Sequence, residues 1–182
     1  PANIHLVGDV MYDAVLYYSN HAEVHRQRLE QLGLKDKSYI LATVHRAENT
    51  DADSRLRAIF QGLMELAKDI FVVLPLHPRT RQALERIKML EESKYKLRLL
   101  EPVGYLEMLI LEKYATVIAT DSGGMQKEAF FHQVPCVTLR DETEWVELVE
   151  LGWNRLVPPH HAPQIAEQIR LSMGTRGTSA YP

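Results

Sequence analysis

Short apolar runs alternate with amphipathic segments along most of this chain. The runs span residues 39–44, 70–74, 97–100, 116–120 and 136–139. Segments with helical periodicity follow them, at 54–67, 80–91, 105–113, 124–131 and 144–151. Strands without polar alternation are buried on both faces, and strand–helix–strand order produces right-handed crossovers. The pattern therefore predicts an α/β fold with a doubly wound, parallel, Rossmann-like sheet.

The two ends of the chain differ from this alternation. Residues 10–32 carry a helical pattern that Gly33 terminates, and a last helix is predicted at 162–173, with Pro163 in its first turn. We expect one domain over 1–174, of which 1–32 are an interdomain segment and a helix, followed by a truncated tail at 175–182. The sequence starts without methionine and stops on Tyr-Pro, so we interpret it as a fragment of a longer protein.

The composition of the chain argues against several classes of function. The 182 residues are 46% hydrophobic and 25% charged, with a net charge of -3, so no basic excess favours nucleic acid. No apolar stretch reaches the roughly 20 residues of a membrane span, and no signal pattern begins the chain, which predicts a cytoplasmic protein. Cys136 is the single cysteine, lies in an apolar run and is predicted to be a buried, inert thiol. The histidines show no metal-ligand spacing.

Candidate binding residues follow the predicted strands, because ligands of open parallel sheets bind beyond the carboxyl ends of the strands. Ser122 is suited to cap the helix after the fourth run, and Gly123 and Gly124 allow a ligand close to the backbone. Such a helix N-terminus suits a diphosphate. Glu128 lies about one turn, ~5 Å, further on, where its carboxylate can accept hydrogen bonds from ribose hydroxyls. The alternative is a plain strand-to-helix turn with Glu128 in solvent.

Other polar residues follow the first, second and fifth runs. His45 and Arg46 are suited to bind or protonate a leaving phosphate, or else His45 packs on a loop and Arg46 pairs with Glu48. For His77 and Arg79, a structural or helix-capping role is at least as well supported as a ligand contact. Arg140 can reach a phosphate or a carboxylate, whereas Trp145 belongs either to the core or to a sugar pocket. The acidic residues after Arg140 suit the first turn of a helix.

Four ordered motifs carry a resemblance to a known family. They are His45-Arg46-x-Glu48-Asn49, Glu101-Pro102-x-x-Tyr105, Asp121-Ser122-Gly123-Gly124-x-Gln126-x-Glu128-Ala129 and Arg140-Asp141-x-Thr143-Glu144. With Gly8-Asp9-Val10 near the start, the chain resembles the C-terminal half of non-hydrolysing UDP-N-acetylglucosamine 2-epimerases. The resemblance implies half of a two-domain fold of the glycosyltransferase-B type.

The resemblance also implies residue roles and a reaction. His45 matches the catalytic histidine, Ser122, Gly123 and Gly124 the diphosphate contacts, and Glu128 the ribose carboxylate. Val103 and Met108 bound the segment that flanks uracil, and the candidate substrate contacts are Arg46, Glu48, Arg140 and Trp145. Such enzymes invert C2 by eliminating UDP and adding it back, for cell-surface polysaccharide precursors. The resemblance further implies no cofactor and no metal, a full-length homodimer, and acid/base carboxylates in an N-terminal domain absent here.

One position departs from the pattern. Trp145 stands where the N-acetylglucosamine enzymes usually carry an arginine that reaches the ligand, and this is not a conservative exchange. Thr143 to Glu147, with Gly152-Trp153-Asn154, looks more like the branch that acts on UDP-2,3-diacetamido-2,3-dideoxyuronic acids. Two alternatives stay open at this point: the UDP-binding half of a B-fold glycosyltransferase, and a non-catalytic module that binds nucleotide sugars.

Overall fold

A six-stranded parallel sheet forms the centre of the molecule in the computed structural model, which describes His5 and residues 8–178. The strand order is β3-β2-β1-β4-β5-β6, so the chain winds outward from β1 in one direction and from β4 in the other. The strands are β1 (Tyr39–Thr43), β2 (Phe71–Pro75), β3 (Arg98–Leu100), β4 (Val117–Thr120), β5 (Cys136–Thr138) and β6 (Asn154–Leu156). The order reverses between β1 and β4, where open parallel sheets bind their ligands. The predicted fold class is confirmed.

The predicted strands correspond to β1–β5, each displaced by a residue or so at its ends. The sequence did not predict β6, which pairs with β5 at the edge of the sheet. Its three residues include Asn154 and Arg155, so it lacks the apolar run that marks a buried strand. Asn154 is nevertheless buried and accepts a hydrogen bond from the Thr138 hydroxyl at 2.8 Å.

Helices cover both faces of the sheet. They are α1 (Val10–Ala22), α2 (Gln27–Gln31), α3 (Ala47–Thr50), α4 (Asp53–Leu66), α5 (Pro78–Arg86), α6 (Leu90–Lys96), α7 (Tyr105–Lys113), α8 (Gly123–Phe131), α9 (Val146–Glu150) and α10 (Ala162–Ser172). The helices predicted at 54–67, 105–113, 124–131 and 162–173 are confirmed within a residue or two. The last of them carries Pro163 in its first turn, as predicted. The helix predicted at 144–151 is present only as α9.

Two of the predicted helices are wrong in extent. A single 3-10 turn, Glu23–His25, interrupts the helix predicted over 10–32, and the Glu23 carboxylate binds Lys113 and Tyr114 at the end of α7. The helix predicted over 80–91 is divided between α5 and α6. Lys88 lies between them in the left-handed region, with φ at 57°, so the α-helical hydrogen bonds stop there.

The core has one apolar cluster on each side of the sheet. Phe60 and Leu63 of α4 and Ile169 of α10 pack on one side, together with Ile40 of β1. Leu41 of β1 belongs to the other cluster, which also contains apolar residues of α1, α7 and α8. Successive β1 residues thus enter opposite clusters, as expected for a strand buried on both faces. Within the described residues, no helix is long and apolar enough to cross a membrane.

The part of the predicted tail that is described packs against the domain. The Thr178 backbone N–H donates to Leu151 O at 2.9 Å, and the Trp153 indole donates to Thr178 O at 2.5 Å. The remaining tail residues, 179–182, and residues 1–4 and 6–7 of the predicted interdomain segment lie outside the described residues.

Candidate functional site

The loops that follow β1 and β4 are joined by one buried carboxylate. Asp121 is fully buried and accepts the backbone N–H groups of His45 and Arg46, each at 3.0 Å from Oδ2. The side-chain amide of Asn49 donates to the same oxygen at 3.1 Å. Because several donors converge on one carboxylate, the loop after β1 is held against the start of α8. The structure therefore brings His45 to the crevice predicted at this edge of the sheet.

One ring nitrogen of His45 lies beside the Asp121 carboxylate, and the rest of the ring is partly exposed. Its Nδ1 lies 3.4 Å from Asp121 Oδ1, while the side chain stays 40% exposed. The carboxylate favours the form in which Nδ1 carries a proton, so Nε2 is available to a ligand. The His77 ring lies nearby, with its centroid 5.6 Å from that of His45. This arrangement leaves Nε2 available to donate or accept a proton, with Nδ1 beside the Asp121 carboxylate.

Ser122 begins α8 in the manner predicted. Its backbone is extended, and its hydroxyl accepts the Met125 N–H at 3.4 Å. The Ser122 N–H donates to the Thr120 hydroxyl at 2.9 Å, which anchors the turn to the end of β4. Gly123 and Gly124 form the first helical turn, whose N–H groups have no carbonyl partner within the helix. The chain thus presents donors at the end of β4 that suit a phosphate group.

Glu128 lies one turn into α8, half-buried rather than in open solvent. Burial raises the pKa of its carboxyl, and the Tyr105 hydroxyl faces that carboxyl and opposes the rise. Tyr105 begins α7 and contacts Tyr18 edge-on, with ring centroids 5.7 Å apart. Val103 and Met108, predicted to flank a uracil, are partly buried against the core beside Tyr105. The segment at 103–108 and Glu128 therefore share one region of the molecule.

Two arginines lie near the crevice, and they differ in their hydrogen-bond partners. Nη1 of Arg46 is buried, and no residue of the described chain hydrogen-bonds to it. Arg140 is also buried, but its guanidinium binds Glu48 at 3.2 Å and Glu144 at 2.6 Å. Glu48 thus pairs with Arg140, and the alternative in which Arg46 pairs with Glu48 is wrong. A guanidinium nitrogen without a hydrogen-bond partner is a donor that an anionic ligand can satisfy.

Further predicted residues take structural positions. His77 caps α5 by accepting the Arg79 N–H at 3.2 Å, and Arg79 binds exposed Asp51, so the capping alternative is confirmed. Of the acidic residues predicted for the first turn of a helix, Glu147 lies there in α9, whereas Asp141, Glu142 and Glu144 precede the helix. Trp145 donates its indole N–H to Gly123 O at 2.8 Å, which places it against the start of α8.

Cys136 is buried, as predicted, and burial raises the pKa of its thiol to about 12, which agrees with an inert side chain. Across His5 and residues 8–178, no group of three or more His, Cys, Asp or Glu side chains is arranged to hold a metal.

Sequence reasoning assigned no role to Asp121, Asn49 or Tyr105. The position of Asp121, directly after a buried strand and before Ser-Gly-Gly, was the available signal. Asn49 gave no signal, because its contact with Asp121 joins residues that are far apart along the chain.

Comparisons with known proteins show the family of this chain. A family model described as UDP-N-acetylglucosamine 2-epimerase matches residues 1–180. The chain belongs to this family. A "UDP-N-acetylglucosamine 2-epimerase homolog" from Methanococcus maripaludis is 52% identical over 83% of this chain and 43% of its own length. A UDP-2,3-diacetamido-2,3-dideoxy-D-glucuronate 2-epimerase from Pseudomonas aeruginosa is 47% identical over 95% of this chain and 46% of its own length.

A solved structure shows the same likeness in three dimensions. The UDP-GlcNAc 2-epimerase of Methanocaldococcus jannaschii, in complex with UDP-GlcNAc and UDP, superposes with a TM-score of 0.85 at 36% identity. The match covers 96% of this chain and 49% of that one. This member of the epimerase family therefore has the α/β architecture of one half of a glycosyltransferase-B-type fold, and it spans about half the length of the relatives it matches.

Proposed function

We propose that this chain is the UDP-binding half of a 2-epimerase that acts on UDP-N-acetylglucosamine or a related UDP-N-acetylamino sugar. The observation that carries the proposal is the crevice at the β1–β4 switch point, where His45, the first turn of α8 and Glu128 lie along one edge of the sheet. The family membership favours this function over a glycosyltransferase half and over a non-catalytic binding module.

The diphosphate binds at the start of α8 in this proposal. Gly123 and Gly124 supply backbone donors at the positive end of the helix dipole, and Ser122, whose own N–H is bound to Thr120, supplies its hydroxyl. The unpaired Nη1 of Arg46 supplies a further donor from the loop after β1. Arg140 can join them if it exchanges one of its two glutamate partners for a phosphate oxygen. These groups stabilise the charge that UDP gains as its bond to C1 breaks.

The nucleoside lies further along α8. The Glu128 carboxylate accepts hydrogen bonds from the ribose hydroxyls, and the uracil lies along the segment from Val103 to Met108. The support for this direction is the position of Tyr105, which joins that segment to Glu128. Ribose recognition and diphosphate binding thus come from one helix, so their spacing is fixed by the helix itself.

The chemistry requires a second set of groups. A base removes the C2 proton, the C1–O bond breaks to give a glycal and UDP, and UDP adds back after the opposite face of C2 has been protonated. His45 is placed to protonate or bind the leaving phosphate through Nε2. We place the carboxylates that act at C2 in the half of the relatives that this chain does not span. The 182-residue chain alone is expected to show little or no epimerase activity.

A second candidate substrate is a UDP-2,3-diacetamido-2,3-dideoxyuronic acid. The relative from Pseudomonas aeruginosa that bears this activity in its name matches 95% of this chain, and Trp145 replaces the arginine expected of the N-acetylglucosamine enzymes. A cytoplasmic location, homodimerisation of the full-length protein and a role in polysaccharide precursors remain predictions of the same proposal.

Calorimetric titration of this chain with UDP, ADP and inorganic phosphate tests the proposal. We expect saturable binding of UDP in preference to ADP, and Glu128→Ala is expected to weaken UDP binding about 10- to 100-fold, because hydrogen bonds to a carboxylate are lost. ADP binding equal to that of UDP would contradict the uridine assignment. A protein of the relatives' full length can be assayed for exchange of the C2 proton with solvent deuterium, with either candidate sugar nucleotide as substrate. Exchange indicates an epimerase, and its absence indicates a transferase.

A further inference from the structure

The loop that leads into α9 is fastened to the first turns of α8 by side chains. The Thr143 hydroxyl donates to Gln126 Oε1 at 2.6 Å and accepts the Trp145 backbone N–H at 3.1 Å. Gln126 is buried and donates in turn to Ser122 O at 3.2 Å. These bonds bring the Trp145 indole to the start of α8, where its N–H donates to Gly123 O at 2.8 Å. The loop and the helix start therefore form one unit.

A buried lysine covers the same indole. Lys127 Nζ lies 4.4 Å from the centre of the Trp145 ring, a cation–π distance, and the side chain is 7% exposed. Its ammonium is ion-paired with Asp9, which caps α1 by accepting the Met11 N–H at 2.9 Å. The indole is thus held at its N–H by Gly123 and at its face by Lys127. The charge of Lys127 is neutralised by Asp9, which precedes α1, so the ammonium group is bound within the protein.

A hydrogen bond to the Gly123 carbonyl oxygen also restricts the direction of the Gly124 N–H. Gly123 C=O and Gly124 N–H belong to the same planar peptide unit, so fixing the carbonyl fixes the direction of the N–H. Gly123 begins α8, so its carbonyl also accepts an N–H within the helix, and the indole adds a second restraint on this peptide from outside the helix. The Gly124 N–H is one of the donors that the proposed function assigns to the diphosphate.

We propose that Trp145 is a positioning residue, which orients the Gly123–Gly124 peptide toward the UDP diphosphate, and that the Lys127–Asp9 pair holds the indole in place. This inference rests on the proposed function and adds to it a residue that acts through the backbone. The indole has its N–H bound to protein and one face covered by an ammonium, so the geometry favours this role over stacking on the sugar. It also accounts for a tryptophan at a position where the resemblance leads us to expect a ligand-contacting arginine.

Trp145→Phe tests the proposal, because phenylalanine keeps a ring under Lys127 and removes the N–H. UDP and uridine are titrated against each protein by NMR. We expect UDP binding to weaken roughly three- to tenfold, the usual effect of one lost hydrogen bond, while uridine binding stays unchanged. Trp153→Phe is the matched control, since it removes an indole N–H that donates to Thr178 O away from α8. Equal loss for UDP and uridine, or no loss, would overturn the proposal.

A second measurement does not depend on a variant that binds UDP less well. The indole N–H signal of Trp145 in the wild-type chain, assigned with Trp153→Phe, is expected to shift on addition of UDP and to stay in place with uridine. If UDP binds and the Trp145 signal does not shift, the role of Trp145 is refuted, whereas the proposed function is not affected. Failure of the wild-type chain to prefer UDP over ADP would instead refute the proposed function.

Discussion

The Asp121 carboxylate lies under the His45 backbone N–H, at 3.0 Å from Oδ2, and also faces the His45 ring nitrogen Nδ1 at 3.4 Å from Oδ1. The two residues follow β4 and β1, which are neighbours in the sheet and distant in the chain. One fully buried carboxylate therefore fixes the backbone position of the histidine and also lies beside its ring nitrogen.

Asp121→Asn is expected to loosen this arrangement. If the asparagine oxygen takes the place of Oδ2, its amide nitrogen faces the His45 backbone N–H, now 3.1 Å from Oδ1, and the His45 ring nitrogen Nδ1. We expect a loss of stability of about 1.5–3 kcal/mol, typical of hydrogen bonds to a charged group. Nitrogen-15 NMR of the His45 ring should show a smaller fraction protonated at Nδ1. Asp141→Asn is the control, because Asp141 is exposed; an equal loss there would contradict a special role for Asp121.

Gly123 and Gly124 are expected to respond differently to alanine. A Cβ on Gly124 would meet Met11 Cε at 3.7 Å, an ordinary contact, whereas a Cβ on Gly123 would lie 2.0 Å from Glu144 Oε1. Gly124→Ala should stabilise the protein by about 0.5–1 kcal/mol, the gain of alanine over glycine in a helix. Gly123→Ala must move the Glu144 carboxylate, whose other oxygen binds Arg140, and should lose that gain. Equal denaturation midpoints for the two variants would show that the Glu144 contact has no effect on stability.

The Tyr105 hydroxyl is expected to keep Glu128 ionised at mildly acidic pH. Burial raises the pKa of Glu128, and the Tyr105 hydroxyl lowers it, so Tyr105→Phe should raise it further. Ribose hydroxyls donate to the ionised form of Glu128. As the pH is lowered, UDP affinity should therefore begin to fall at a higher pH in the variant than in the wild type. Titrations of UDP across the mildly acidic range measure the two midpoints. Tyr95→Phe, at a residue 91% exposed, should leave the midpoint unchanged.

Glu112 is expected to lower stability at neutral pH. The residue is fully buried, neither carboxyl oxygen has a hydrogen-bond partner among the described residues, and His132 Nε2 lies 3.9 Å from Oε2. Burial raises the pKa of Glu112 well above its usual range, and the Glu128 charge adds to the rise. Burial also lowers the pKa of His132 to about 4, helped by Lys113 and Lys37, so His132 is neutral at neutral pH.

A carboxyl whose pKa is raised by folding contributes stability that is fully present below its unfolded pKa and is lost as the pH rises through the folded value. Glu112→Gln should therefore stabilise the protein at neutral pH, by about 1–3 kcal/mol or several degrees in Tm, and have little effect near the pKa of a free carboxyl. Melting curves over this pH range measure the difference. Glu91→Gln, at an exposed residue, serves as control; a pH-independent effect of Glu112→Gln would refute the explanation.

The sequence predicted the parts of the fold that depend on local apolar patterns. Buried runs such as the one in β1 appear in the sequence because every residue must be apolar, and the helices between them have a clear period. The break at Lys88 and the one after Ala22 were not predictable in this way. Each occurs without proline or glycine at the break and is fixed by contacts with other elements, such as that of Glu23 with Lys113.

The same division applies to the candidate site. Ser122 was predictable as a cap because capping depends on the residue type and its neighbours in the chain. The partners of Arg140 were not, since Glu48 reaches it from a loop after a different strand. The contact of Trp145 with Gly123 likewise depends on how the loop before α9 folds back over α8.

The anchoring of both loops by Asp121 and Trp145 has a thermodynamic consequence. A ligand that orders a loose loop must offset the conformational entropy that the loop loses, at about 1–2 kcal/mol per residue. Here the segment from His45 to Asn49 and the first turn of α8 are already restrained by bonds within the protein. Interaction energy with the diphosphate is therefore not consumed in ordering the backbone, and it remains available to favour the charge distribution of the transition state over that of the bound sugar nucleotide.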